Sequence, residues 1–124
     1  MNLKNVKLGI IGLGYVGLPL AVEFGKKFKK VVGFDLKRKR IKELRSLTDT
    51  TGEVSRKELK SSKNLSFTYN LKDIETCNCY IVAVPTPVNN KKKPDFKLLK
   101  NASKIVGNVL KKNDVIIFES TVYP

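Results

Sequence analysis

Three glycines at the spacing G-x-G-x-x-G, in Gly12-Leu13-Gly14-Tyr15-Val16-Gly17, and an acid 18 residues beyond the last of them, Asp35, are the residues of this chain best suited to chemistry. Their chemistry is anion recognition. Gly12 allows a tight turn, Gly14 lets the backbone come close to a pyrophosphate, and Gly17 lets a helix lie against the preceding strand. Free N–H groups and the dipole at that helix start favour a diphosphate. Asp35 ends the run Val31-Val32-Gly33-Phe34, where a carboxylate can accept hydrogen bonds from both ribose hydroxyls of an adenosine. A glycine pattern alone is common in ordinary turns. Dinucleotide binding further requires a strand before Gly12, a helix after it and a second strand ending at Asp35.

The sequence supplies all three. The apolar run 6–11 predicts the first strand, and helical spacing over about 15–28 places Gly17, Leu20, Ala21, Phe24 and Phe28 on one face. Pro19 is tolerated in the first turn of that helix, whose N–H groups have no intrahelical partner. Residues 31–34 predict the second strand and 37–47 the second helix. A polar connector, 48–54, leads to a short helix around 55–61, with Ser55 as its cap and Glu58 at capping-box spacing. Further strands are expected at 65–69 and 80–84. The second is an unbroken apolar run that implies burial on both faces, and it is ended by Pro85 and Pro87. After a lysine-rich loop at 88–94, a helix from about 95 carries Leu98, Leu99, Ala102, Ile105, Val106, Val109 and Leu110 on one stripe. A fifth strand at 115–118 leads to Glu119-Ser120-Thr121. Alternating strands and helices define an α/β fold, a Rossmann-type doubly wound parallel sheet. A single domain over 1–124 is expected, cut off after about five strands as the first part of a longer protein.

Composition narrows the function further. Cys77 and Cys79 are the only cysteines and there is no histidine, so no set of metal ligands is expected. The pair reads as two small, semi-buried thiols at the mouth of the apolar run. No stretch has the apolar length of a membrane span or the pattern of a signal peptide, so no membrane association and a cytoplasmic location are expected. A net charge of +14 raises the question of nucleic acid. The lysines are scattered, however, and not interleaved with aromatic residues, so no nucleic-acid partner is expected.

Taken together, these segments resemble the amino-terminal domain of the UDP-glucose/GDP-mannose dehydrogenase family. The likeness rests on the glycine turn with Tyr15, Val16 and Pro19, on Asp35 with Arg40, on Val84-Pro85-Thr86-Pro87, and on Glu119-Ser120-Thr121-Val122-Tyr123-Pro124. Within the family, Asp49-Thr50-Thr51-Gly52-Glu53-Val54 and the last two segments are most like the branch acting on UDP-N-acetylhexosamines in bacterial capsule and O-antigen synthesis. The resemblance implies that Gly12, Gly14, Tyr15, Val16 and Gly17 face the pyrophosphate of NAD and that Asp35 accepts from the adenosine ribose. It further implies that Arg40 covers the adenine side, that Thr86 lies beside the nicotinamide half, and that Thr121 positions cofactor and catalytic water. On residue type alone, Arg40 could equally be a surface residue of the second helix, Thr86 a strand cap and Thr121 an ordinary β-branched strand residue.

The implied reaction is NAD-dependent oxidation of a UDP-N-acetylhexosamine at C6 to the uronic acid, in a homodimer or larger assembly. The family's catalytic cysteine, with the lysine and asparagine that assist it, lies beyond its first domain, so this chain is expected to supply the cofactor-binding half. The alternative is a catalytically silent nucleotide-binding module. Asp35 would repel a 2′-phosphate, whereas Lys37, Arg38, Lys39 and Arg40 would attract one. The carboxylate is closer to the ribose and the basic run faces solvent, so NAD is expected over NADP.

Overall fold

The computed structural model describes residues 3–85, 91 and 96–119. Its frame is a parallel sheet of five strands, β1 (Lys7–Ile11), β2 (Lys30–Phe34), β3 (Leu65–Thr68), β4 (Cys79–Val82) and β5 (Val115–Phe118), in the order β3-β2-β1-β4-β5. Four α-helices connect them: α1 (Gly17–Lys27), α2 (Arg38–Arg45), α3 (Arg56–Ser61) and α4 (Lys97–Val109). This is the expected doubly wound arrangement. Short 3-10 turns at Leu3–Asn5 and Leu71–Ile74 are additions that the hydrophobic pattern did not announce. The second of these is capped by the Asn70 side chain, which accepts from the Lys72 amide.

Strand residues alternate between two cores, as a pleated sheet requires. Leu8, Ile10, Val31, Cys79 and Ile81 face Leu18, Ala21, Val22, Ile41, Leu44 and Leu59 from the helices of one side. Ile11, Val32, Phe34, Tyr80 and Val82 face Ala102, Val106 and Val109 of α4 on the other. The deeply buried stripe of α1 is Gly17, Leu18, Ala21, Val22 and Gly25. Leu20, Phe24 and Phe28, expected to share the central face, pack at its edge. In α4 the expected stripe was too wide, because Leu98 and Leu110 are exposed. Only Ile116 of β5 packs into a core; Val115 and Ile117 lie on the face shared with Cys79 and Ile81, and both are 41% exposed. The predicted capping box is present, with the Ser55 hydroxyl accepting from the Glu58 amide and Glu58 accepting from the Ser55 amide.

The cysteines correct the sequence reading. Cys79 opens β4 rather than preceding it, both residues are buried, and they belong to opposite cores. Cys77 precedes the strand, and the turn that carries it also presents carbonyls of Ile74 and Cys77 to the buried Tyr80 hydroxyl. Burial raises both thiol pKa values, in Cys77 against the opposing pull of Lys30 and Lys111. Neither therefore has the accessible thiolate of a nucleophile. In the native protein a thiol-reactive disulfide reagent should label neither cysteine, and after unfolding in guanidinium it should label both. Rapid labelling of either thiol in the native state would contradict this packing.

Candidate functional site

The strand order reverses direction between β1 and β4, and in open α/β sheets ligands bind beyond the carboxyl ends of strands at such a point. Here Gly12 follows β1, Asp35 follows β2 and Ala83, Val84 and Pro85 follow β4, together lining an open cleft of about 1110 Å³. That is at or above the upper end of the roughly 300–1000 Å³ typical of small-molecule sites. Leu36, Leu98 and Ile105 add apolar walls, and Thr48, Thr50 and Thr51 add a polar one.

The three fingerprint glycines have different reasons to be glycine. Gly12 has φ +100°, and a Cβ there would sit 2.8 Å from the Ala83 carbonyl oxygen. A Cβ on Gly17 would collide with the Gly12 carbonyl. The fold itself requires these two. Gly14 lies outside the left-handed region, and among the described residues a Cβ on it would meet nothing within 4 Å. It lines the cleft, so the space it keeps open is part of that cleft. Val16, the N-cap of α1, makes no side-chain capping bond. Among the described residues, no protein acceptor takes the amides of Gly14, Tyr15 or Val16. Donors left open at a helix start suit a diphosphate.

Leu13, between two of these glycines, is held on every side. Its side chain is fully buried against Gly33, whose missing Cβ makes the room. Its amide donates to Asp35 Oδ2 at 3.1 Å. Its carbonyl accepts from Arg40 Nε at 2.9 Å and Nη2 at 2.7 Å. Asp35 also accepts from the Lys37 amide at 3.0 Å through Oδ1, so its carboxylate is oriented by two backbone donors at the cleft wall.

Arg40 corrects the reading of a solvated basic run. It is 9% exposed, on the same face of α2 as Ile41 and Leu44. Its Nη1 reaches Glu43 at 3.0 Å and Asp49 at 2.8 Å. Burial would lower its pKa, but the hydrogen bonds and charges of Asp49 and Glu43 outweigh that and raise it. Arg38 stacks over the Tyr69 ring, 4.7 Å from its centroid, with Arg45 at 5.7 Å. Of the run 37–40, only Lys37, Lys39 and Arg40 line the cleft.

Asp49 is the residue that sequence reasoning missed, having placed it in a polar connector. Its carboxylate accepts from Arg40 Nη1, from the amide and hydroxyl of Thr51, and from the amides of Glu53 and Val54. An acid two residues before a threonine and three before a glycine was the available signal, since Asp side chains commonly close such turns. Of the other expected site residues, Tyr15 and Val16 stand exposed at the cleft lip. Thr86 and Thr121 lie outside the described residues, as does most of the loop expected at 88–94.

Residues 6–124 match the UDP-glucose/GDP-mannose dehydrogenase family, NAD binding domain. The chain is 57% identical over 122 residues to a UDP-N-acetyl-D-glucosamine 6-dehydrogenase of Pseudomonas aeruginosa, covering 98% of this chain and 29% of that protein. It is 52% identical over 123 residues to the Salmonella typhi protein of the same name, covering 99% and 29%. Among solved structures, the UDP-D-ManNAc dehydrogenase of Pyrococcus horikoshii superposes with a TM-score of 0.81 at 31% identity, covering 96% of this chain and 29% of that one. The chain thus spans less than a third of the length of these relatives. Among the described residues, no helix is long and apolar enough to cross a membrane.

Burial pushes the Asp49 carboxyl up, but hydrogen bonds from Thr51, Arg40 and the Val54 amide prevail and hold it well below the usual carboxylate range. Glu43 is lowered in the same sense, burial being outweighed by Arg40 and Thr50. A depressed folded pKa contributes stability that is complete above the unfolded value and is lost as pH falls through the folded one. The protein should therefore lose stability progressively below about pH 4. In urea titrations, the stability gap between parent and Asp49→Asn should shrink by roughly 2 kcal/mol from pH 5 to pH 2. A gap independent of pH would show that Asp49 is not held ionised.

Proposed function

We infer that this chain, which belongs to the UDP-glucose/GDP-mannose dehydrogenase family, is the NAD-binding part of a nucleotide-sugar 6-dehydrogenase. The observation that carries the cofactor reading is Gly14: none of the described residues would oppose a side chain there, and the space it leaves lies in the cleft. The residues present fit the cofactor. The unengaged amides of Gly14, Tyr15 and Val16 would take the pyrophosphate, and Asp35, already oriented by the Leu13 and Lys37 amides, would accept from the ribose. When bound, NAD supplies the hydride acceptor. The chain's own residues bind and orient. Cys77 and Cys79 are buried in the cores, so neither can serve as the nucleophilic cysteine that the family resemblance implies.

In the whole protein, we assign the substrate as UDP-N-acetyl-D-glucosamine or a close UDP-N-acetylhexosamine, oxidised at C6 to the uronic acid for bacterial capsule or O-antigen polysaccharide. The identities of 57% and 52% to relatives bearing the glucosamine name support this branch. Thr86 and Thr121 are assigned to the nicotinamide side of the site.

Two experiments test this reading. Gly14→Ala should keep stability within about 1 kcal/mol of the parent and weaken NAD binding at least tenfold, whereas Gly17→Ala should cost about 3 kcal/mol or more. Undiminished NAD affinity in Gly14→Ala, measured calorimetrically, would remove the basis for placing the pyrophosphate there. Separately, the complete protein should reduce NAD with UDP-N-acetylglucosamine, followed by NADH absorbance, and should use NADP far less well. Equal use of NADP, or no turnover with any UDP-N-acetylhexosamine, would refute the assignment.

A further inference from the structure

We propose that Asp49, which has its carboxylate engaged by protein donors, sets the cofactor affinity of the cleft from a distance, by holding Arg40 on the Leu13 carbonyl. The inference rests on the cofactor reading given above and adds a positioning residue to it.

The peptide at issue joins Leu13 to Gly14. Being trans and planar, it points its carbonyl and its N–H in opposite directions. Arg40 holds the carbonyl with two donors, so the Gly14 N–H is directed away from Arg40. Gly14 itself offers little resistance to rotation, because glycine populates most of the backbone map. Were this peptide to flip, a carbonyl oxygen would replace an N–H at the place where an anion is to bind. The orientation therefore needs an external lock, and the guanidinium supplies it.

That lock depends on Asp49. A guanidinium 9% exposed is stable only if its charge is met. Glu43, one turn away on the same helix, meets part of it, but its side chain is 19% exposed whereas that of Asp49 is fully buried. Asp49 is itself immobilised by the amides of Thr51, Glu53 and Val54. The chain enters this loop through Leu47, whose φ of +63° is unusual for a leucine. The Leu47 and Thr48 amides there close onto the Leu44 and Glu43 carbonyls, the double bond pattern that ends a helix sharply. A fixed exit from α2 thus delivers a fixed carboxylate to Arg40, and Arg40 fixes the turn.

Two measurements on the protein test this, one of which needs no cofactor. In Asp49→Asn, release of the Leu13 carbonyl should loosen the residue as a whole, so that exchange of the Leu13 amide, which lies in the preceding peptide and donates to Asp35, accelerates at least tenfold with Ile10 in β1 unchanged, and the dissociation constant for NAD should rise at least tenfold. Arg40→Lys, which keeps the charge but loses the paired donors, should reproduce both effects and remains informative should Asp49→Asn not fold. Because Asp49 acts through Arg40, adding Asp49→Asn to Arg40→Lys should weaken NAD binding by no more than a further twofold; purely additive losses would mean a general structural role and overturn the proposal. Unaccelerated exchange at Leu13 in a folded variant, or NAD affinity within twofold of the parent, would also overturn it. Accelerated exchange in a protein whose parent form binds no NAD would instead overturn the cofactor reading and leave the lock standing.

Discussion

The carbonyl of Gly12 occupies the space that a side chain at position 17 would need, and much of the molecule is arranged around that contact. It brings the start of α1 down onto the end of β1, which sets Leu18, Ala21 and Val22 against the sheet. The same point meets the end of β4, because a Cβ on Gly12 would press on the Ala83 carbonyl and one on Gly17 would approach the Ala83 side chain. The end of β1 and the start of α1 are therefore packed backbone to backbone, with the Ala83 carbonyl and the side chains of Ala83 and Val84 closing in from the end of β4. Further along α1, Gly25 repeats the device against Ser62, whose hydroxyl donates to the Val22 carbonyl and ties α3 to α1. The open amides that follow Gly12 have a local cause: the N-cap of α1 is Val16, whose side chain has no acceptor to offer them.

Charge is distributed with the same economy. In a chain of net charge +14 with 11 acidic residues, four of those acids, Asp35, Glu43, Glu119 and Asp49, stand at or just behind a cleft suited to an anion. Their task is not to attract it. On the proposed reading Asp35 would present acceptors to hydroxyl groups, while Glu43 and Asp49 pair with Arg40, whose guanidinium holds the Leu13 carbonyl. The general excess of lysine supplies the long-range attraction for a negatively charged ligand, which frees the local charges to set geometry.

Much of this was legible in the sequence. The glycine spacing, the apolar runs and the capping box at Ser55 and Glu58 are local signals, and local signals survive translation into structure: β5 falls at the expected residues and the sheet is parallel with five strands, as expected. What was not legible depends on long-range contacts. Arg40 sits in a run of four basic residues that reads as solvent-exposed, and only the approach of Leu13 and Asp49, 27 and 9 residues away, makes it buried. The connector at 48–54 is polar because its side chains bond its own backbone, which composition cannot distinguish from a loop bonded to water. Cys77 and Cys79 resemble a same-side pair until the turn before β4 sends them to opposite cores.

Leu13 joins these two kinds of information. The fingerprint leaves its position unspecified, so a reading by motif passes over it, yet its amide, its carbonyl and its side chain are all engaged. The consequence for recognition is one of preorganisation. On the proposed reading, Asp35 would bond the ribose with the lone pairs that the Leu13 and Lys37 amides leave free, and those two amides set its direction before any ligand arrives. Binding then carries little cost for ordering that side chain. A carboxylate that cannot swing aside also cannot make way for a 2′-phosphate. Selectivity against the phosphorylated cofactor would thus arise less from the charge of Asp35 alone than from the two amides that prevent it from moving.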